Sequence, residues 1–275
     1  TNLIYTGPHL DNTALCKFIE MSCVLRLASL SFLLLTSAMC CRAAASSNLM
    51  DTAGDDVVVV SVYYETLCPF CAEFIVNHLV KLFEDGLISV VRLRMIPWGN
   101  GLVQSDGSLI CQHGPDECFL NAVEACTISV YPDTDRHFRF IHCIARLSLQ
   151  NRINEWMSCF ELSGLGSSPV DCYAAGYGNA LENNYAAETS QLNPPHRFVP
   201  WVVVNDQPLQ EDFKNFMSYI CKAYEGSPVP DACKFLPEAS SISSLQEEKS
   251  ASSVCFLGEM SNQTSHRYLV SNMRH

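Results

Sequence analysis

The sequence predicts an α/β domain of βαβ…ββα order that carries an inserted, disulfide-bonded helical subdomain. Three observations predict it. A β-branched apolar run precedes a CxxC pair with helical periodicity behind it. A proline-led apolar run followed by an Asn-Asp turn comes much later. The cysteine-rich stretch between them, about a hundred residues, is too long for a loop in a compact domain.

Val57 to Tyr64 is nearly unbroken in apolar character, as a strand buried on both faces should be. Cys68-Pro69-Phe70-Cys71 follows, and Phe74, Ile75, Leu79, Leu82 and Phe83 then recur at helical spacing. Asp85-Gly86 ends that helix, with glycine where a left-handed residue is wanted. Ser89 to Ile96 alternates arginine with apolar residues and reads as the next strand. Val199 to Val204 is a strand led in by Pro200. Asn205-Asp206 tolerates the positive φ of a tight hairpin turn, and Pro208-Leu209 begins the return strand. Glu211 to Cys221 is an amphipathic helix with Phe213, Phe216, Met217 and Ile220 on one side. A CxxC at the start of the helix in a βαβ unit reads as thioredoxin-like. The stretch 97–197 is the insertion, with helices expected over Asn121–Ser129 and His137–Leu149.

The domain is expected over residues 56–236. Residues 21–45 read as a secretory signal peptide, with Arg26, an apolar run from Leu27 to Leu35, and Ala43-Ala44-Ala45 before the cut. The run is shorter than the roughly 20 residues a membrane span needs, so no stable membrane insertion is expected. Residues 1–20 are an upstream extension outside the fold. The Ser-rich segment 237–275 reads as a disordered tail with a glycosylation sequon at Asn262. Net charge is −12, and without a basic stripe nucleic-acid binding is excluded.

The chain has 15 cysteines, and eleven follow the proposed cut. So many thiols fit an oxidising compartment, where they become staples. A zinc site needs two close ligand pairs; the single CxxC supplies one, so no metal is expected. Cys111, Cys118, Cys126, Cys143, Cys159, Cys172, Cys221 and Cys233 are read as structural, with Cys221 and Cys233 paired. The odd count leaves one thiol over, expected to be Cys255.

Cys68 and Cys71 carry the expected chemistry. Three residues apart on the first turn of a helix, they lie within disulfide reach, a Cα separation of about 5.5–6 Å. Cys68 near the N-cap meets unpaired N–H groups and the positive end of the dipole, which lower a thiol pKa. Pro69 suits the first helical position. Cys68 is thus the nucleophile and Cys71 the resolving thiol, with no cofactor required. The fold places a cis-proline opposite the CxxC; Pro200 takes that position and Val199 offers its backbone to an extended substrate. The same pair would also serve a disulfide oxidase or isomerase of the secretory pathway, and a non-enzymatic secreted binding module would use it only as a staple.

Cys111-Gln112-His113-Gly114-Pro115-Asp116-Glu117-Cys118-Phe119-Leu120-Asn121-Ala122-Val123-Glu124-Ala125-Cys126 matches the pattern CQHGxxECxxNxxxxC without a departure. This resembles the gamma-interferon-inducible lysosomal thiol reductase (GILT) family. Pro97-Trp98-Gly99-Asn100 and Phe198-Val199-Pro200-Trp201 look like further landmarks, and the resemblance covers about Val57 to Cys233. Pro69-Phe70 between the cysteines looks more like plant or invertebrate members. The resemblance implies a reductase of protein disulfides that works in an acidic compartment, a lysosome or vacuole, or outside the cell. It would be recharged by a small-thiol or protein electron donor. It also allows a removable tail. His113 is read as a hydrogen bonder that satisfies the fold, with a thiol-tuning or pH-sensing role as the alternative.

Overall fold

The computed structural model describes residues 57–234 and 254–258. The upstream extension, the signal peptide, Asn262 and most of the Ser-rich tail lie outside the described residues.

Strand β1 (Val58–Tyr64) is buried along almost its whole length. Cys68 caps α1 (Pro69–Phe74), which continues through a π-helical turn (Ile75–Leu79) into α2 (Lys81–Glu84). Gly86 is left-handed at φ 74°, as its place after the helix requires. Leu87–Val90 forms a 3-10 turn, so strand β2 (Val91–Pro97) starts two residues later than its β-branched run suggests. In β2 the exposed Arg92 and Arg94 alternate with buried Val91, Leu93 and Met95.

A small hairpin, β3 (Leu102–Val103) and β4 (Leu109–Ile110), opens the insertion. Helices α3 (Pro115–Val130), α4 (Thr134–Leu149), α5 (Ser158–Leu162), α6 (Ser168–Ala174) and α7 (Tyr177–Ser190) follow. The chain then returns through β5 (Phe198–Val199), β6 (Trp201–Val204) and β7 (Gln207–Pro208). A 3-10 stretch (Gln210–Asn215) leads into α8 (Phe216–Ala223). The order of the main sheet is β2-β1-β6-β7. β1 runs parallel to β2 and antiparallel to β6, and β6 is antiparallel to β7. That topology is the thioredoxin-like fold, with the helical insertion between β2 and β5. The β6–β7 turn has Asn205 and Asp206 at φ 43° and 64°, the positive values a two-residue hairpin demands.

Three expectations are corrected. The strand over Val199–Val204 is cut at Pro200, which has no N–H for a ladder; Phe198 and Val199 leave the main sheet. The helix over Glu211–Cys221 starts as 3-10, whose i, i+3 eclipsing sets Phe213 and Phe216 both edge-on to Phe74 at 5.4 and 5.6 Å. Within the tail expected to be disordered, Cys255–Phe256 forms strand β8, paired antiparallel with β5.

Two apolar clusters hold the domain. One packs β1, β2 and β6 against α1 and α8. The other, centred on Phe119, Leu120, Phe140, Trp156 and Phe160, lies in the insertion, with Leu67 packed against it. Phe83 and Phe138 stack at 4.2 Å and join the CxxC helix to α4. Cys126–Cys172 and Cys143–Cys159 tie α3 to α6 and α4 to α5, and Cys221–Cys233 closes the loop after α8 as expected.

Helices α3 and α7 bury carboxyls. Glu124 accepts a 2.6 Å hydrogen bond from the Tyr64 hydroxyl, and its pKa is pushed up to about 8 by burial. Glu182 is fully buried without a hydrogen-bond partner for either oxygen. Burial, then the charges of Glu124 and Glu117, pushes it well above the usual carboxylate range. The folded protein thus holds these protons where the unfolded chain, with carboxyls near pKa 4.3, has released them. The stability they contribute is full below about pH 4.3 and is lost as pH rises, through about 8 for Glu124. Urea unfolding of the oxidised protein is expected to show a higher midpoint at pH 5 than at pH 8, with a slope of up to about 1.4 kcal/mol per pH unit for each group. Glu182→Gln is expected to flatten the dependence. A midpoint that rises toward pH 8 contradicts this assignment.

Candidate active site

Cys68 sits at the N-cap of α1 with extended backbone, and its Sγ accepts the Cys71 N–H at 3.4 Å. Pro69 occupies the first turn, where its missing N–H costs nothing. The thiol-bearing turn has the geometry expected from its sequence, but the bond does not. Cys68 is disulfide-bonded to Cys255, and Cys71 is the free cysteine among the described residues. The expectation that Cys255 is the thiol left over is therefore overturned. The reason is β8: its pairing places Val199 opposite Cys255 and Phe198 opposite Phe256, which carries the Cys255 sulfur to Cys68. Both Cys68 and Cys71 are fully buried in this state. Burial first, and the Glu65 carboxylate next, pushes the Cys71 thiol well above its usual range.

Val199–Pro200 is a cis peptide, in line with the position assigned to Pro200. Four further contacts hold β8. Asn100 Nδ2 donates to the Cys255 carbonyl at 3.1 Å, and Gln112 Nε2 donates to the Phe256 carbonyl at 2.7 Å. The Leu257 N–H donates to the Arg197 carbonyl at 3.0 Å. The Phe256 ring stands edge-on to Phe198 at 6.1 Å.

The long cysteine motif is built around this site. Cys111–Cys118 closes its first loop, and Gly114, at φ 94°, turns the chain into α3 where a side chain at that φ would be strained. From α3, Glu117 accepts the Leu67 N–H at 3.3 Å. Asn121 Oδ1 accepts both the N–H (3.0 Å) and the hydroxyl (2.6 Å) of Thr66. The motif thus anchors the two residues before Cys68. His113 is the hydrogen bonder the sequence suggested: Nδ1 lies 2.7 Å from Glu117 Oε2 and 3.5 Å from Glu65 Oε2. Its Nε2 is also 3.8 Å from the Cys255 sulfur.

Glu65 is almost fully buried and accepts the Asn100 N–H at 2.7 Å. Gly99 permits this approach, because it sits at φ 58° and a Cβ there would clash with the Glu65 side chain. Burial, then the Glu117 charge, raises the Glu65 pKa well above normal. Glu65, His113 and Glu117 have donor atoms within 4.8 Å of one another, the types a metal would take. The Glu117 oxygens and His113 Nδ1 are committed to hydrogen bonds, while Glu65 Oε2 is buried without a hydrogen-bond partner.

Sequence reasoning missed Glu65, Asn100, Gln112, Glu117 and Asn121 as site residues. One signal was present: Glu117, Asn121 and Glu124 recur at i, i+4, i+7 on an otherwise apolar helix, a polar stripe that buries only if something polar faces it. The structural cysteines lie away from the site except Cys111–Cys118, which braces Gln112 and His113 between them.

Residues 59–163 match the family model described as Gamma interferon inducible lysosomal thiol reductase (GILT). A Gamma-interferon-responsive lysosomal thiol protein of Arabidopsis thaliana is 35% identical over 209 residues, covering 74% of this chain and 86% of that protein. The Gamma-interferon-inducible lysosomal thiol reductase of Mus musculus is 31% identical over 186 residues, covering 66% and 74%. Among solved structures, reduced DsbA from Mycobacterium tuberculosis aligns with a TM-score of 0.46 at 17% identity, covering 64% of this chain and 87% of that one. On its identity to these relatives and its matched motif, the chain belongs to the GILT family and is a thiol–disulfide oxidoreductase.

Proposed function

We propose that the chain reduces disulfides in protein substrates through Cys68 and Cys71, in an acidic or extracellular compartment reached by the secretory route. The observation that carries this reading is Cys68 at the N-cap of α1 with its sulfur already bonded to a cysteine in an extended segment. That is the geometry of a mixed disulfide.

The reaction runs as follows. The Cys68 thiolate attacks one sulfur of a substrate disulfide, and the other sulfur leaves as a thiolate that takes a proton. Cys71 loses its proton and attacks Cys68 Sγ, releasing the second substrate thiol and leaving a Cys68–Cys71 disulfide. A small-thiol or protein dithiol donor then reduces that bond. Environment separates the two roles: the N-cap and dipole favour a Cys68 thiolate, while burial favours the neutral thiol at Cys71.

Three observations support this compartment. The five disulfides among the described residues suit an oxidising route. The buried carboxyls favour stability at low pH. The names of the plant and mouse relatives carry the word lysosomal. Among the described residues, no helix is long and apolar enough to cross a membrane.

In the reduced protein, Cys68→Ser is expected to abolish reduction of a denatured disulfide protein, and Cys71→Ser to accumulate a covalent substrate adduct at Cys68 that a dithiol dissolves. Activity surviving Cys68→Ser sinks the reading. An ordinary thiol of pKa about 8.5 is ionised to about one part in three thousand at pH 5. Alkylation of Cys68 in the reduced protein should therefore inflect below about pH 6. An inflection near 8 contradicts an acid-active nucleophile.

A further inference from the structure

We propose that residues 254–257 occupy the enzyme's polypeptide groove as a tethered substrate, that Asn100 and Gln112 are the side chains that hold a substrate's backbone there, and that opening Cys68–Cys255 switches the enzyme on. The inference rests on the proposed reductase reading and deepens it.

Three independent features describe an occupied groove. The first is covalent: the sulfur bonded to Cys68 comes from a segment 187 residues away in sequence. The second is backbone recognition. β5 is not part of the main sheet, and its backbone pairs with β8 in the register Val199–Cys255. The third is side-chain recognition of carbonyls. Asn100 reaches the carbonyl of the bonded cysteine and Gln112 that of the next residue. The two clamp residues are themselves linked, Asn100 Nδ2 donating to Gln112 Oε1 at 2.7 Å. Both are almost fully buried. Apart from the disulfide and one ring contact, these contacts are made to main-chain groups of the segment, which any polypeptide possesses. The exception is Phe256 against Phe198, which favours a large apolar residue directly after the substrate cysteine.

The tether raises the effective concentration of Cys255 at Cys68: when Cys71 displaces it, the Cys255 thiolate attacks Cys68 again and returns Cys71 to its thiol, so a free substrate competes at a disadvantage until the segment is released. Release balances by simple exchange. A thiol of the reducing class attacks Cys255 Sγ; the Cys68–Cys255 bond breaks and a thiol–Cys255 bond forms. Cys68 leaves as the thiolate, with Cys71 still reduced. A second thiol molecule then takes the adduct as a symmetrical disulfide, and Cys255 receives a proton. His113 Nε2, 3.8 Å from that sulfur, is the ring that faces it.

The test uses the full chain purified without reductant. Alkylation under denaturing conditions followed by peptide mapping is expected to label Cys71 and to yield a linked Cys68–Cys255 peptide. With a limiting small thiol and a denatured disulfide protein as substrate, the wild-type progress curve is expected to show a lag that prior reduction removes. Cys255→Ser is expected to start without the lag, at an initial rate about tenfold or more above the unreduced wild type. In the Cys255→Ser background, Asn100→Ala and Gln112→Ala are expected to lower the ratio of kcat/KM on the protein to kcat/KM on bis(2-hydroxyethyl) disulfide by about tenfold. Asn100→Ala keeps the backbone N–H that Glu65 accepts, so a loss of that ratio reports the clamp. Equal initial rates for unreduced wild type and Cys255→Ser, or an unchanged ratio, overturn the proposal. If that happens while Cys68→Ser is still inactive, only the tether fails; activity in Cys68→Ser defeats the reductase reading itself.

Discussion

The site depends on one set of buried hydrogen bonds: Glu117 and Asn121, on the long helix of the insertion, hold the backbone of Thr66 and Leu67 just before Cys68. Those groups lie at the end of β1, where the chain leaves the sheet and has not yet entered α1. They have no ladder to join and no helix to close. Left unpaired, each would cost about 1–3 kcal/mol. The insertion supplies the acceptors, and the N-cap position of Cys68 follows from it. The helical subdomain is therefore part of the site's framework, and its disulfides have a reason. Cys111–Cys118 pins the start of α3 and Cys126–Cys172 pins its far end. Between those two bridges lie the residues that hold the loop.

The same helix brings a second constraint, charge without solvent. Glu65, Glu117, Glu124 and Glu182 are all buried in this region. Burial drives Glu65, Glu124 and Glu182 toward the neutral form. At low pH that form is cheap, and nearby carboxyls cease to oppose one another. Cys68 and Cys71 divide along the same line of environment. Cys68 lies at a helix terminus, where the dipole favours an anion, and Cys71 lies one turn deeper, where burial disfavours it. Groups of one chemical type thus receive different tasks from position alone.

The sheet and the CxxC turn were legible because each is local. β1 reads from its β-branched run, the hairpin from Asn205-Asp206, and the N-cap from Cys68-Pro69. Cys221–Cys233 was legible because it spans only 12 residues. The short helices α5 and α6 were not, since they are held by disulfides and the second core more than by periodicity. The stripe of Glu117, Asn121 and Glu124 was visible, but its partners Thr66, Leu67 and Tyr64 lie 50 to 60 residues away, and no pattern within α3 names them. Cys255 is the clearest case. An odd cysteine in a polar, Ser-rich tail has the composition of a leftover thiol. Its partner is set by an unpaired strand edge elsewhere in the fold.

That edge exists because of Pro200. A proline at this point cannot donate to a ladder, so the chain on either side need not share one sheet. β6 goes into the core beside β1, while Phe198 and Val199 keep their main-chain groups for another strand. Such an edge attracts any extended segment, which is a hazard in most proteins. Here the edge stands beside a sulfur at a helix N-cap, and two buried amides wait on its far side for carbonyls. The combination selects for an extended chain with a cysteine at one register position. Cys255 satisfies both conditions, and a partly unfolded protein with an accessible disulfide would satisfy them by the same contacts. Every hydrogen bond that holds the segment goes to its main chain, so what this edge meets is the strand form of the chain that presents the cysteine.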